Sequence, residues 1–144
     1  MSDKNVGKNP IQTTIDNWLE GWNNKNIEKI LENYTDDAEI YDPKIKELMP
    51  DKKELFVKGK DEIRDYINTI WIFFPNLQLK PVGLWIKGKI KGAESLLEYF
   101  IYPDKEKNAY TDAVVKFFLD ENNKIRGEFL YYGLGYTEDK KEDK

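Results

Sequence analysis

Asp42 closes the run Tyr34 to Asp42 and directly precedes Pro43, which makes it the best placed residue of this sequence for acid–base chemistry. The run reads as a short strand, and the Asp-Pro pair ends it where the chain must turn. Other carboxylates and phenols can join it. Alternation puts Glu128, Leu130 and Tyr132 on one face of one strand, and Glu98, Phe100 and Tyr102 on one face of another. Together they would make an aromatic pocket floored by carboxylates. Carboxylates held close together push their pKa values apart, so such a set supplies one charged base and one protonated acid. The alternatives are equally concrete. Asp42 caps a turn before Pro43, and a register slip of one residue sends both glutamates outward, to solvent or to a partner.

Composition narrows the chemistry. The chain has 144 residues, no histidine and no cysteine. A Ser-His-Asp triad, thiolate metal sites and cysteine nucleophiles are excluded, and acid–base work falls to Asp, Glu, Tyr or Lys. Asp36-Asp37 and Asp61-Glu62 lack the spacing of a calcium loop, so no metal site is expected; Asp61-Glu62 suits the negative first turn of a helix. A net charge of −4 with only two arginines, Arg64 and Arg126, argues against a nucleic-acid partner. No glycine-rich phosphate loop is present. No apolar run spans a bilayer and the start is not a signal peptide, so the expectation is a cytoplasmic protein without a membrane partner.

The elements that must position these residues follow from periodicity. Residues 1–9 read as a flexible arm, 10–135 as one domain and 136–144 as a charged tail. Asn9-Pro10 starts a helix with Ile11, Ile15, Trp18, Leu19 and Trp22 on one face. Asn26 caps a second helix, whose apolar face is Ile27, Ile30, Leu31 and Tyr34. A third runs from about Asp61 to Pro75 with Ile63, Tyr66, Ile67, Ile70, Trp71 and Phe74 inward. Four strands come next: Leu77 to Lys87, Ala93 to Tyr102, Ala109 to Leu119 and Ile125 to Leu134, with a turn over Lys87 to Gly92. Short connections imply an antiparallel meander, and helices first with strands afterwards imply α+β.

This order, with Trp22 to Asn26, Tyr34 to Ala38, Tyr41-Asp42-Pro43, Gly59 to Ile63, Phe74-Pro75 and Leu119 to Ile125, resembles the nuclear transport factor 2-like superfamily, in its SnoaL-like and ketosteroid isomerase-like branches. The resemblance implies a cone-like α+β barrel. Three N-terminal helices would pack on a strongly curved, mostly antiparallel sheet around an internal pocket, with a homodimer formed through the sheet. It makes Asp42 the base that moves a proton between carbons. Trp18, Phe56, Tyr34 and Val115 fall on pocket-facing positions. At the family's two oxyanion-donor positions this chain has Trp18 and Val115, which departs from the isomerase pattern; the Trp18 indole N–H is a single remaining donor.

The stretch Lys44 to Lys58 is longer than the isomerase branch usually has. Ile45, Leu48 and Met49 could form the apolar underside of a lid; a solvated loop with a helical turn is the alternative. The resulting expectation is a SnoaL-like pocket protein that takes a small hydrophobic molecule. It would be an isomerase- or cyclase-type enzyme with Asp42 as base, Glu128 in the catalytic set and no cofactor, or else a non-catalytic binding module on the same fold.

Overall fold

The computed structural model describes residues 9–89 and 92–137. The expected arm, apart from Asn9, and the tail after Thr137 lie outside the described residues. The order is α1 (Pro10–Asn23), α2 (Ile27–Leu31), β1 (Tyr34–Tyr41), α3 (Ile45–Leu48), β2 (Phe56–Lys58), α4 (Gly59–Phe73), β3 (Gln78–Lys89), β4 (Gly92–Tyr102), β5 (Ala109–Leu119) and β6 (Ile125–Thr137).

The starts of α1, α2 and α4 carry cap contacts. The Asn9 side chain accepts from the Ile11 amide at 2.8 Å, with Pro10 behind it in the first turn. Asn26 caps α2 by accepting from the Lys29 amide at 3.1 Å. At α4 the Glu62 carboxylate reaches back to the Lys58 amide at 2.8 Å, and that bond draws its pKa below the usual carboxylate value. The helix stops at Phe73, short of Pro75.

The six strands form one sheet in the order β2-β1-β6-β5-β4-β3. β3 to β6 are the expected antiparallel meander, whereas β1 lies parallel to β6. β2 and β3 are the two edges, so the strands do not close into a hydrogen-bonded barrel. Pro81, which cannot donate to a ladder, sits on edge strand β3 beside a register irregularity. The inner sheet face meets α1 and α4 in a core that includes Ile15, Trp18, Ile40, Ile63, Leu97 and Phe117, each at most 2% exposed.

The structure departs from the sequence expectation in several places. Among the described residues there are four helices, not three, because Ile45–Leu48 coils within the long connection. The same connection ends in β2, three residues too short to show a period. β3 runs on to Lys89 and β6 to Thr137, two residues into the supposed tail. No helix among the described residues is long and apolar enough to cross a membrane.

Candidate functional site

Asp42 and Glu128 are brought together by the parallel pairing of β1 and β6. Ile40 stands opposite Glu128 and Tyr41 opposite Phe129. Alternation then aims Ile40, Asp42 and Glu128 at the same inner face. Asp42 is 1% exposed and Glu128 2%. Burying two carboxylates is costly unless their oxygens are satisfied or protonated, and this protein solves the problem differently for each.

Asp42 is surrounded by donors. Oδ1 accepts from the Lys44 amide at 2.9 Å and from the Tyr132 hydroxyl at 2.9 Å. Oδ2 accepts from the Tyr66 hydroxyl at 2.5 Å. Three donors converging on one carboxylate suit its charged, acceptor-only form. The bond to Lys44 is the turn cap offered as the alternative reading, so Asp42 caps its turn and faces the cavity at once. Burial and the charge of Asp42 raise the pKa of both partner phenols, keeping them protonated donors.

Glu128 accepts from the Tyr34 hydroxyl at 2.5 Å, and Tyr34 in turn accepts from the Trp18 indole N–H at 2.9 Å. Burial pushes the Glu128 carboxyl up to about 8; the Tyr34 bond opposes that rise and the nearby Asp42 charge adds to it. At neutral pH Glu128 therefore carries a proton. One buried carboxyl group is ringed by donors, and its neighbour has a raised pKa.

Both line a cavity of about 370 Å³. Tyr66, Tyr99 and Tyr132 add phenols to its wall; Trp18, Trp22, Ile70, Leu77, Leu79 and Ile101 give it an apolar surface. Lys44, Glu47 and Leu48, at and within α3, line its more exposed side. Ile45 is fully buried and anchors α3, with Leu48 and Met49 packed partly against the core. The Lys44 ammonium lies 4.9 Å from the centre of the Tyr132 ring. Among the described residues no cluster of acidic side chains could hold a metal ion.

The other expected pocket residues divide. Trp18 and Tyr132 line the cavity. Tyr34 is buried behind Glu128 and supports it from the core. Val115 is fully buried on the inner face of β5 but is not part of the cavity wall. Glu98, Phe100 and Tyr102 do not face the cavity. The buried residues of β4 are Ala93, Ser95, Leu97 and Tyr99, so the register is one residue from the expected one and these three side chains point to the opposite side. There the Phe100 and Tyr102 rings pack on Tyr110 at 4.7 and 5.3 Å. Phe56 is also off the cavity: its ring packs on Tyr41 at 5.1 Å, and Tyr41 stacks on Phe129. Sequence reasoning missed Tyr66 and Tyr99. Helical spacing turned Tyr66 inward, yet nothing local separated its hydroxyl from plain core; Tyr99 was lost with the β4 register.

A sequence model of the SnoaL-like domain family matches residues 15–126, most of the chain and all the elements that carry Asp42. The chain belongs to the SnoaL-like domain family. It thereby falls in the nuclear transport factor 2-like superfamily. No curated protein sequence matches it significantly. Solved structures share the fold at low identity. A SnoaL-like protein of unknown function from Burkholderia thailandensis is 16% identical with a TM-score of 0.70, over 87% of this chain and 95% of that one. A candidate ketosteroid isomerase from Kribbella flavida is 10% identical with a TM-score of 0.66, over 88% and 80% of the two chains. A candidate scytalone dehydratase from Novosphingobium aromaticivorans is 14% identical with a TM-score of 0.70, over 95% and 91%. At these identities the likeness is one of fold, and the SnoaL-like chain's chemistry must be argued from its own cavity.

Proposed function

We propose that this SnoaL-like protein is a cofactor-independent acid–base enzyme that isomerises or cyclises a small hydrophobic carbonyl compound. The observation that carries the reading is the pairing, in one apolar cavity, of a carboxylate held by three donors with a buried carboxyl whose pKa is raised. A carboxylate offers about four acceptor positions, and three on Asp42 are filled. The remaining lone pair takes a proton from the carbon next to the carbonyl. The electron pair left behind moves onto the carbonyl oxygen, and the Glu128 O–H holds that oxygen by a hydrogen bond. Return of the proton from Asp42 to another carbon completes an isomerisation; attack of the enolate on a second electrophilic carbon completes a cyclisation. Trp18 and Tyr34, both candidates for holding the oxygen, have their donors committed to each other and to Glu128. That leaves the role to Glu128. A cysteine-free chain needs no oxidising compartment, and we place this work in the cytoplasm.

The test is proton–deuterium exchange on apolar enolisable ketones in heavy water, wild type against Asp42→Asn. Exchange with the wild type and none with a folded variant is expected; equal exchange by both would refute the role of Asp42.

A second reading has its own observation. Three donors already occupy Asp42, which favours a cavity that holds a ligand without turning it over. Ketones that perturb the protein's NMR spectrum without exchanging would decide for this binding module.

We further propose a homodimer through the outer sheet face. Trp85 and Leu96 stand opposite each other in register and are 58% and 40% exposed, and Tyr131 beyond them is 55% exposed. Apolar side chains of this size gathered on one sheet face suit an interface. Light scattering should give twice the chain mass, and Tyr131→Lys should lower it.

A further inference from the structure

Besides its phenols, the cavity has four ionisable side chains in its wall. Asp42 and Glu128 are buried, whereas Lys44 and Glu47 are exposed. The acid–base chemistry uses the buried two and leaves Lys44 without a task. Its position is nevertheless fixed at both ends. The Lys44 amide donates to Asp42 Oδ1 at 2.9 Å. Its ammonium lies 4.9 Å from the centre of the Tyr132 ring, and the hydroxyl of that ring donates to the same Oδ1 at 2.9 Å. One lysine and one tyrosine thus close a loop on a single carboxylate oxygen. A lysine side chain ordinarily samples many rotamers, and ordering it on binding is unfavourable. Contact with the ring face restrains it in advance.

No carboxylate neutralises this ammonium. Among the described residues Lys44 makes no ion pair, whereas Lys52, Lys58 and Lys60 each have one. Glu47, three residues on, lines the same side of the cavity and is not paired with it. A restrained cation without a counter-charge, at the exposed side of an otherwise apolar cavity, suits an anionic group on the ligand. At that side the anion keeps part of its hydration. It is thereby spared the desolvation and repulsion that a third carboxylate buried beside Asp42 would meet.

We infer that Lys44 is a specificity residue that receives a carboxylate at the outer end of the ligand, so that the substrate is a hydrophobic keto acid and not a neutral ketone. For the carbonyl this rests on the acid–base reading above. Tyr132 sets the spacing. Its hydroxyl meets Asp42 and its ring face meets the ammonium. The carbon that loses its proton and the carboxylate of the ligand are therefore about one phenol's length apart, and the apolar wall takes the rest of the molecule.

The probe is benzoylbutyrate, an aryl ketone with a carboxylate at the end of three methylenes, compared with its methyl ester. Calorimetric titration reads binding, and NMR follows deuterium exchange next to the ketone. The wild type should bind the acid at least about fivefold more tightly than the ester at low salt, and added salt should shrink that ratio. Lys44→Met keeps the main-chain bond to Asp42 and should bring the ratio close to one; Lys44→Arg should preserve it. Lys44→Gln carries the test if the methionine variant does not fold. No binding of the acid, equal affinity for acid and ester in the wild type, or an undiminished preference in folded Lys44→Met overturns the inference. The two readings fail separately. A Lys44-dependent preference without exchange of either compound keeps the anion site and removes the reaction at Asp42. Exchange of both compounds that is lost in Asp42→Asn, with no preference for the acid, keeps the base and removes the role of Lys44.

Discussion

Tyr34 donates to Glu128 while accepting from Trp18, so the direction of each hydrogen bond in this relay is fixed. The indole has only a donor, the phenol passes its own proton on, and Glu128 Oε1 must accept. Tyr34→Phe removes the bond that holds the Glu128 pKa down, so that pKa should climb above about 8. It also strands the Trp18 N–H. The expected cost is about 1–3 kcal/mol in urea unfolding, and the alkaline limb of any exchange profile should move to higher pH.

Glu128 makes stability depend on pH. Its folded pKa of about 8 lies above the ordinary carboxylate value of 4.5. The folded state therefore keeps a proton that the unfolded chain releases. This contribution is fully present below pH 4.5, declines as pH rises, and is lost above about 8. The slope approaches about 1.4 kcal/mol per pH unit within that window. Glu128→Gln cannot titrate, and denaturation series at several pH values should show the decline flattened.

Among the described residues, Tyr66 is the sole donor to Asp42 Oδ2. Tyr66→Phe leaves that oxygen buried and unmatched, with an expected loss of about 1–3 kcal/mol. Tyr132→Phe should cost less, because Oδ1 keeps the Lys44 amide. Parallel urea titrations of the two variants would reveal the order; a larger loss for Tyr132→Phe would contradict it.

Gly92 opens β4 with φ at +123°. A Cβ there would lie 2.2 Å from the Leu119 carbonyl oxygen. Gly92→Ala should destabilise by about 2 kcal/mol or more, visible as a lowered melting temperature, whereas Gly88→Ala meets no atom within 4 Å and should be close to neutral.

The helices and the meander were legible because each carries a period or a cap: Asn9 and Asn26 at helix starts, Pro75 after one, Asp120 to Lys124 at a hairpin. Asp42 was legible as the end of a strand before proline. Glu128 was legible because the hairpin turn next to it fixes its alternation. On β4 the turn is less distinct, so alternation alone could not tell Glu98 from Tyr99, and the register slip changed which one faces the cavity. β2 was invisible at three residues. The Phe56 placement failed with it, since the neighbours of an edge strand depend on pairing that sequence does not display. The raised pKa of Glu128 follows from burial, and the phenols that hold Asp42 come from α4 and β6, remote from it in sequence.

The parallel seating of β1 beside β6 has a consequence for how the protein is made. The hydrogen bonds that define the site join Tyr34 to Glu128 across 94 residues and Asp42 to Tyr132 across 90. Contacts so distant in sequence form only once nearly the whole chain is available and β6 has slotted in next to β1. During synthesis the helices and the first three meander strands can gather while Asp42 still faces water without its β6 partner. The last strand therefore works as a keystone: it completes the sheet and encloses both carboxyl groups, so that any reactivity of this cavity is also a report that folding has finished.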